Sequence, residues 1–262
     1  MATNQIAVNI LKPILDSNRC ELGSHLHPWV NPPLTEQVNV KNSFPGNLDF
    51  YLEQEKLKIL TEEIEKNYGF RPTTYKAGRY GFGSNTLKIL QNLGYKTDLS
   101  FCPTLNFKEE GGPDYQEFNC NPSWLDEGKQ ILEVPVSGAF VGKIKHNSHD
   151  IYHLADKFKA LKVPSILAKT GLLDRLILSP EGFNHKEHIK LTKYLYKHGH
   201  RTFTWSFHSP SLKPGFTPYV QNKQQLTKFL DSFRYYFDFF LNEFGGVAST
   251  PAKLHDHFRS LH

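Results

Sequence analysis

Hydrophobic positions recur at helical spacing in several windows of the chain. Ile6, Ile10, Leu11, Ile14 and Leu15 fall on one face behind Thr3, a candidate cap. Pro13 lies inside that window and predicts a kink or an early end. A charged window over about 48–67 places Leu57, Leu60, Ile64 and Tyr68 on one stripe. Ser84 is a candidate cap for a helix reaching about Leu93. Further helices are predicted over about 150–161, 185–198 and 252–260. The clearest, over about 224–244, carries Phe229, Phe233, Phe237, Phe240 and Phe244 and stops at Gly245-Gly246.

Short apolar runs lie between these helices. They predict strands over about 20–23, 73–76, 96–101, 131–136, 176–178 and 202–207. Residues 102–130 read as a long irregular loop. Alternation of strand and helix implies a parallel sheet, either a barrel or an open doubly wound sheet. In such folds ligands gather at the carboxyl ends of the strands. With 262 residues, no repeat and no clean linker, the expectation is one domain.

Charge and composition narrow the classes. A formal net charge of +5 is spread without a basic run, which argues against nucleic acid. No 18-residue apolar stretch exists, so no membrane span is expected. Cys20, Cys102 and Cys120 are widely spaced, without a CxxC. Together with the lack of a leader pattern, this leads to an expected cytoplasmic location.

Candidate chemistry follows the strands. In Gly23-Ser24-His25-Leu26-His27-Pro28-Trp29, His25 and His27 are two apart, so on an extended segment both imidazoles project to one side. Such a pair can share a divalent metal with a third ligand from elsewhere, or can be ordinary hydrogen-bonded histidines. Trp29 can wall a ligand site. In Ala77-Gly78-Arg79-Tyr80-Gly81, small residues allow close backbone approach, and Arg79 can orient a carboxylate or make a structural ion pair. His208, in Ser206-Phe207-His208-Ser209, can donate a proton or cap its loop. Asp98 lines another strand end and can hold Arg79 or a histidine in place, or be an ordinary loop aspartate. His185 and His188 share a helix face and read as solvated. His255 and His257 point to different faces.

The stretches 21–29, 75–81, 95–103, 131–136 and 203–219, in this order, resemble the polysaccharide deacetylases of the NodB-homology class, and most of all their WalW-like branch. The resemblance implies a distorted (β/α)7-type barrel with a divalent metal, Zn²⁺ foremost, at its mouth. It implies removal of N-acetyl groups from a sugar or a surface-polysaccharide precursor. On that reading His25 and His27 hold the metal, His208 protonates the leaving amine, Arg79 and Asp98 serve the catalytic machinery, and Trp29, Tyr80 and Trp124 bind the carbohydrate. Two features depart from the pattern. The usual second metal histidine, four residues after the first, is here Trp29. The acidic first motif, with its base and its metal carboxylate, has no counterpart before His25. The expectation is therefore a barrel lacking its first strand, with an open sheet edge through which the chain can self-associate. Two other readings stay open: a non-catalytic carbohydrate-binding or scaffold protein that keeps the fold, and a metal hydrolase of the amidohydrolase type.

Overall fold

The computed structural model describes residues 2–144 and 146–261. Helix α1 (Gln5–Asp16) is capped by Asn4, whose side chain accepts from the Ala7 N–H, and not by Thr3. Pro13 sits inside it without ending it. Leu11 and Leu15 pack beside the buried Val8, while Ile6, Ile10 and Ile14 stay exposed, so only part of the expected face is used. Strand β1 (Ser24–Leu26) starts later than expected and contains His25. Helix α2 (Phe50–Tyr68) is capped by Asp49 and ends at Gly69, at φ 84°. Its Leu57 and Ile64 are buried, each contributing on the order of 1.5–3 kcal/mol.

Strand β2 (Thr74–Ala77) is followed by α3 (Thr86–Asn92). The residue before α3 is Asn85, so Ser84 is not its cap. Next come β3 (Thr97–Asp98), β4 (Ser123–Trp124) and β5 (Leu132–Glu133). These five strands form one sheet in the order β1-β2-β3-β5-β4, parallel except for β4 against β5. Leu26, Leu57, Tyr75, Ile89, Leu90 and Ile131 form the core between this sheet and its helices.

The second half was only partly legible. Strand β6 (Gly138–Val141) pairs antiparallel with β7 (Asp174–Ile177) as a separate two-stranded sheet. Helices α4 (Ser148–Lys157) and α5 (Val163–Lys169) lie between them; β6 and α5 carried no signal strong enough to be expected. Helices α6 (His185–Lys197), α7 (Lys223–Asp238) and α8 (Pro251–Ser260) complete the chain, and a π-turn over Phe239–Glu243 extends α7. The segment 202–207 is extended but is not a strand. It docks by single bonds, Ser206 N–H to Leu178 O (3.0 Å) and Ser137 N–H to Thr204 O (3.2 Å).

The architecture is thus mixed α/β with a mainly parallel five-stranded sheet. Among the described residues the strands do not close into a barrel: β1 stands at one edge and β4 at the other. The three cysteines are free. Among the described residues no helix is long and apolar enough to cross a membrane.

Candidate functional site at the ends of the parallel strands

His25 lies in the middle of β1, with Ser24 and Leu26 buried on either side of it. That alternation turns His25 and His27 outward together, and their ring centroids lie 4.5 Å apart, edge to face. The His25 Nδ1–H donates to Lys76 O across the β1–β2 pair (2.9 Å). This bond fixes the tautomer and leaves Nε2 with a free lone pair. His27 Nδ1 is buried without a hydrogen-bond partner. Trp29 leans on His27 at 4.6 Å and remains partly exposed, where a wall residue belongs.

The loop bearing Trp29 is anchored from α2. Lys56 is fully buried; its Nζ donates to Pro28 O (3.0 Å), Asn31 O (2.8 Å) and Pro33 O and pairs with Glu36 (3.0 Å).

The turn after β2 is strained. Arg79 and Tyr80 both adopt left-handed conformations, at φ 53° and 59°. Tyr115 Oη donates to Tyr80 O (2.5 Å) and helps to hold them. Gly78 is required here by close approach: a Cβ would stand 2.4 Å from Leu26 O and 2.5 Å from His27 Nδ1. The Arg79 guanidinium bonds Ser43 Oγ (2.5 Å), pairs with Glu110 and covers the Phe44 ring. Lys76 Nζ donates to Leu99 O (2.6 Å) and lies 4.7 Å from the Tyr80 ring centroid.

Asp98 does not hold Arg79 or a histidine. Its side chain points into the sheet and is fully buried. It accepts from Ser100 Oγ (2.6 Å) and Ser100 N–H (3.2 Å), and Ser100 Oγ in turn accepts from Ala77 N–H (2.8 Å). Asp98 therefore braces the strained turn through Ser100. Its partner in register on β5 is Glu133, also fully buried, whose Oε1 accepts from Phe101 N–H (3.0 Å). Burial pushes both carboxyls up, and in Glu133 the Asp98 charge adds to the effect. Glu133 Oε2 has no donor facing it. The upward shifts favour a neutral carboxyl within the pair.

Trp124 is also elsewhere. It lies on β4, the edge strand opposite β1, and packs edge-on against the buried His255 of α8, 5.3 Å away. The antiparallel β4 turns its side chains to a helix instead of to the strand ends.

His208 does reach the site, and its partner was missed in the sequence. Glu181, in the loop after β7, accepts from His208 Nδ1 (2.6 Å), His208 N–H (3.1 Å) and Ser211 Oγ (2.5 Å). The Glu181 side chain is 6% exposed and that of His208 60%. Burial opposes ionisation of Glu181, but the bonds from His208 and Ser211 outweigh it and hold its carboxyl below the usual range. The same bond raises His208 above an ordinary histidine, against partial burial. Behind them stands His188, which is fully buried and not solvated as its helix position implied. Its Nε2–H donates to Ser179 O (2.8 Å), and Nδ1 accepts from Trp205 Nε1 (3.4 Å). It thus ties the Glu181 loop to the segment leading to His208. The signal available for Glu181 was its place, an acidic residue just past a strand.

The mouth carries both signs: Arg79 and His208 face Glu110 and Glu181, and burial lowers Lys76. Burial lowers His25, with Lys76 and His208 adding to the effect. Burial, then His25, His208 and Arg79, lower His27 to about 4. Both imidazoles are neutral near pH 7, the form that ligates a metal. Among the described residues, however, no three His, Cys, Asp or Glu side chains come together as a ligand set. Among these described residues, two imidazoles beside Lys76, Arg79 and His208 do not by themselves complete a site for a divalent cation. No protein-family model matches the chain, and comparison with curated proteins finds no match.

Proposed function

We propose that this chain is a carbohydrate-acting hydrolase domain of the polysaccharide-deacetylase kind, binding an N-acetylated sugar at the mouth around His25, His27, Trp29, Tyr80 and His208. The observation that carries the reading is the Glu181–His208 pair. A buried carboxylate orients an exposed imidazole, strengthens its hold on a proton and aims it beside two neutral imidazoles. That is the acid half of amide hydrolysis: His208 gives its proton to the departing sugar amine, while Lys76 and Arg79 bias the mouth toward developing negative charge. Tyr80 and Trp29 offer ring faces to the sugar. In the family a zinc ion supplies the activated water. Here His25 and His27 offer two of its donors and, among the described residues, no third joins them.

That deficit favours a second reading, a protein that binds the sugar without cleaving it. One experiment separates the two: binding of chitohexaose by calorimetry, alongside acetate release with and without added Zn²⁺. Acetate release that is abolished in His208→Gln supports hydrolysis. Binding without release selects the second reading. No binding at all defeats both.

A further inference from the structure

Arg175 projects from β7 and makes no ion pair or side-chain hydrogen bond among the described residues. Its Nε is buried and unpartnered, and its guanidinium lies 5.2 Å from the Tyr152 ring centroid on α4. Thr104, 5% exposed and held at φ 80°, presents a second unpartnered buried atom, Oγ1. These two orphaned donors come from different parts of the chain and line one groove of about 1050 Å³ between the 104–117 segment and α4. The volume matches or exceeds the roughly 300–1,000 Å³ of ordinary ligand pockets. A buried guanidinium nitrogen without an acceptor is costly, and an anionic oxygen is its best partner.

The groove begins where the mouth ends. Phe107 and Glu110 line it, and these same side chains stack on Tyr80 at 6.0 Å and pair with Arg79. Of the carboxylates lining it, Lys108 holds Asp114 (2.8 Å), Arg79 holds Glu110 and Asp150 lies against His149 (3.0 Å), while Glu109, Glu117 and Asp156 share the lining with Lys157 and Lys159; no carboxylate pairs with Arg175 among the described residues. We propose that this groove binds an anionic stretch of a glycan chain, with Arg175 and Thr104 taking a carboxylate or phosphate oxygen and Tyr152 packing on the adjoining sugar ring. The word glycan rests on the function proposed above; the anion rests on Arg175 and Thr104.

The test is calorimetric titration of the full chain with three probes: a hexasaccharide of alternating N-acetylglucosamine and glucuronate, a glycerol-phosphate hexamer, and neutral chitohexaose. At least one anionic probe is expected to bind about tenfold or more tighter than chitohexaose, the increment of one charge-assisted pair. Which one does so names the source of the anion. Arg175→Gln should abolish that advantage and leave chitohexaose affinity unchanged, while Arg175→Lys keeps part of it. If Arg175→Gln does not fold, Tyr152→Leu should reduce the advantage instead. Equal affinity for all three probes overturns the proposal, as does an advantage that survives Arg175→Gln, or Tyr152→Leu where that variant stands in. Acetate release from chitohexaose without any anionic preference defeats only the groove; an Arg175-dependent preference without acetate release defeats only hydrolysis.

Discussion

Two acid–base pairs in this molecule are built from similar carboxylates and behave in opposite ways. At the rim, Glu181 meets three hydrogen-bond donors, one of them an imidazole, and the bond favours the charged form of both partners. Inside the sheet, Asp98 meets Glu133, a second carboxylate, and burial favours a neutral carboxyl within the pair. A carboxylate's protonation is therefore set by the sign of what faces it and by the water left around it. Only the rim pair is open to a ligand. The interior pair serves the mouth indirectly, through Ser100 and the Ala77 backbone.

Breaking the interior pair should have the largest effect. Asp98→Ala leaves the Ser100 donors unsatisfied and removes the brace on the Arg79–Tyr80 turn, at a cost of about 3 kcal/mol in urea unfolding. A loss below about 1 kcal/mol would mean that the pair carries no structural role.

Glu133→Gln tests the neutral carboxyl. Both folded carboxyls are raised, so wild-type stability is fully present below the unfolded value of about 4 and declines as pH rises toward the folded values. Gln keeps an acceptor for Phe101 N–H and removes the Glu133 titration, leaving that of the buried Asp98. The variant should match wild type near pH 4 and exceed it by about 1 kcal/mol or more near pH 8. Parallel pH–stability curves would show that the Glu133 carboxyl is not held neutral.

At the rim, Glu181→Gln should return the His208 midpoint, followed by NMR, toward about 6.5. The wild-type pair is most stabilising between the ordinary carboxylate and histidine values. Its stability is lost as pH falls through the lowered Glu181 value and as pH rises through the raised His208 value. Because His208 is largely exposed, the stability change should stay under about 1 kcal/mol. In the same spectra His27 should titrate near 4; an ordinary midpoint would remove the desolvation assigned to the mouth. The smallest effect is expected at Trp124: Trp124→Phe should leave chitohexaose affinity unchanged, whereas Trp29→Ala should weaken it.

The chain pattern made some of this legible. The helices α2, α6, α7 and α8 follow from apolar stripes bounded by Asp49, Asn184, Asn222 and Thr250. The strand-end placement of His27, Arg79 and Tyr80 followed from βα alternation, because parallel strands deliver their carboxyl ends to one side, whereas His25 lies within β1 and His208 follows an extended segment that is not a strand. Position along the chain could not separate Trp29 from Trp124, since which edge a strand joins depends on pairing between distant segments. Nor could it separate His188 from His185: both lie on α6, but only His188 meets Trp205 and the Ser179 loop.

By itself, then, the sequence determined most of the helices though not α5, the alternation that yields a mainly parallel sheet, and the i, i+2 geometry that puts His25 and His27 on one side. Each depends on neighbours a few residues apart, where backbone period dictates direction. Tertiary structure alone decided the strand order β1-β2-β3-β5-β4, that Asp98 faces Glu133 and not Arg79, and that Glu181 orients His208. Those contacts span tens of residues or more, and burial and partner charge, which fix their chemistry, exist only once the chain has packed.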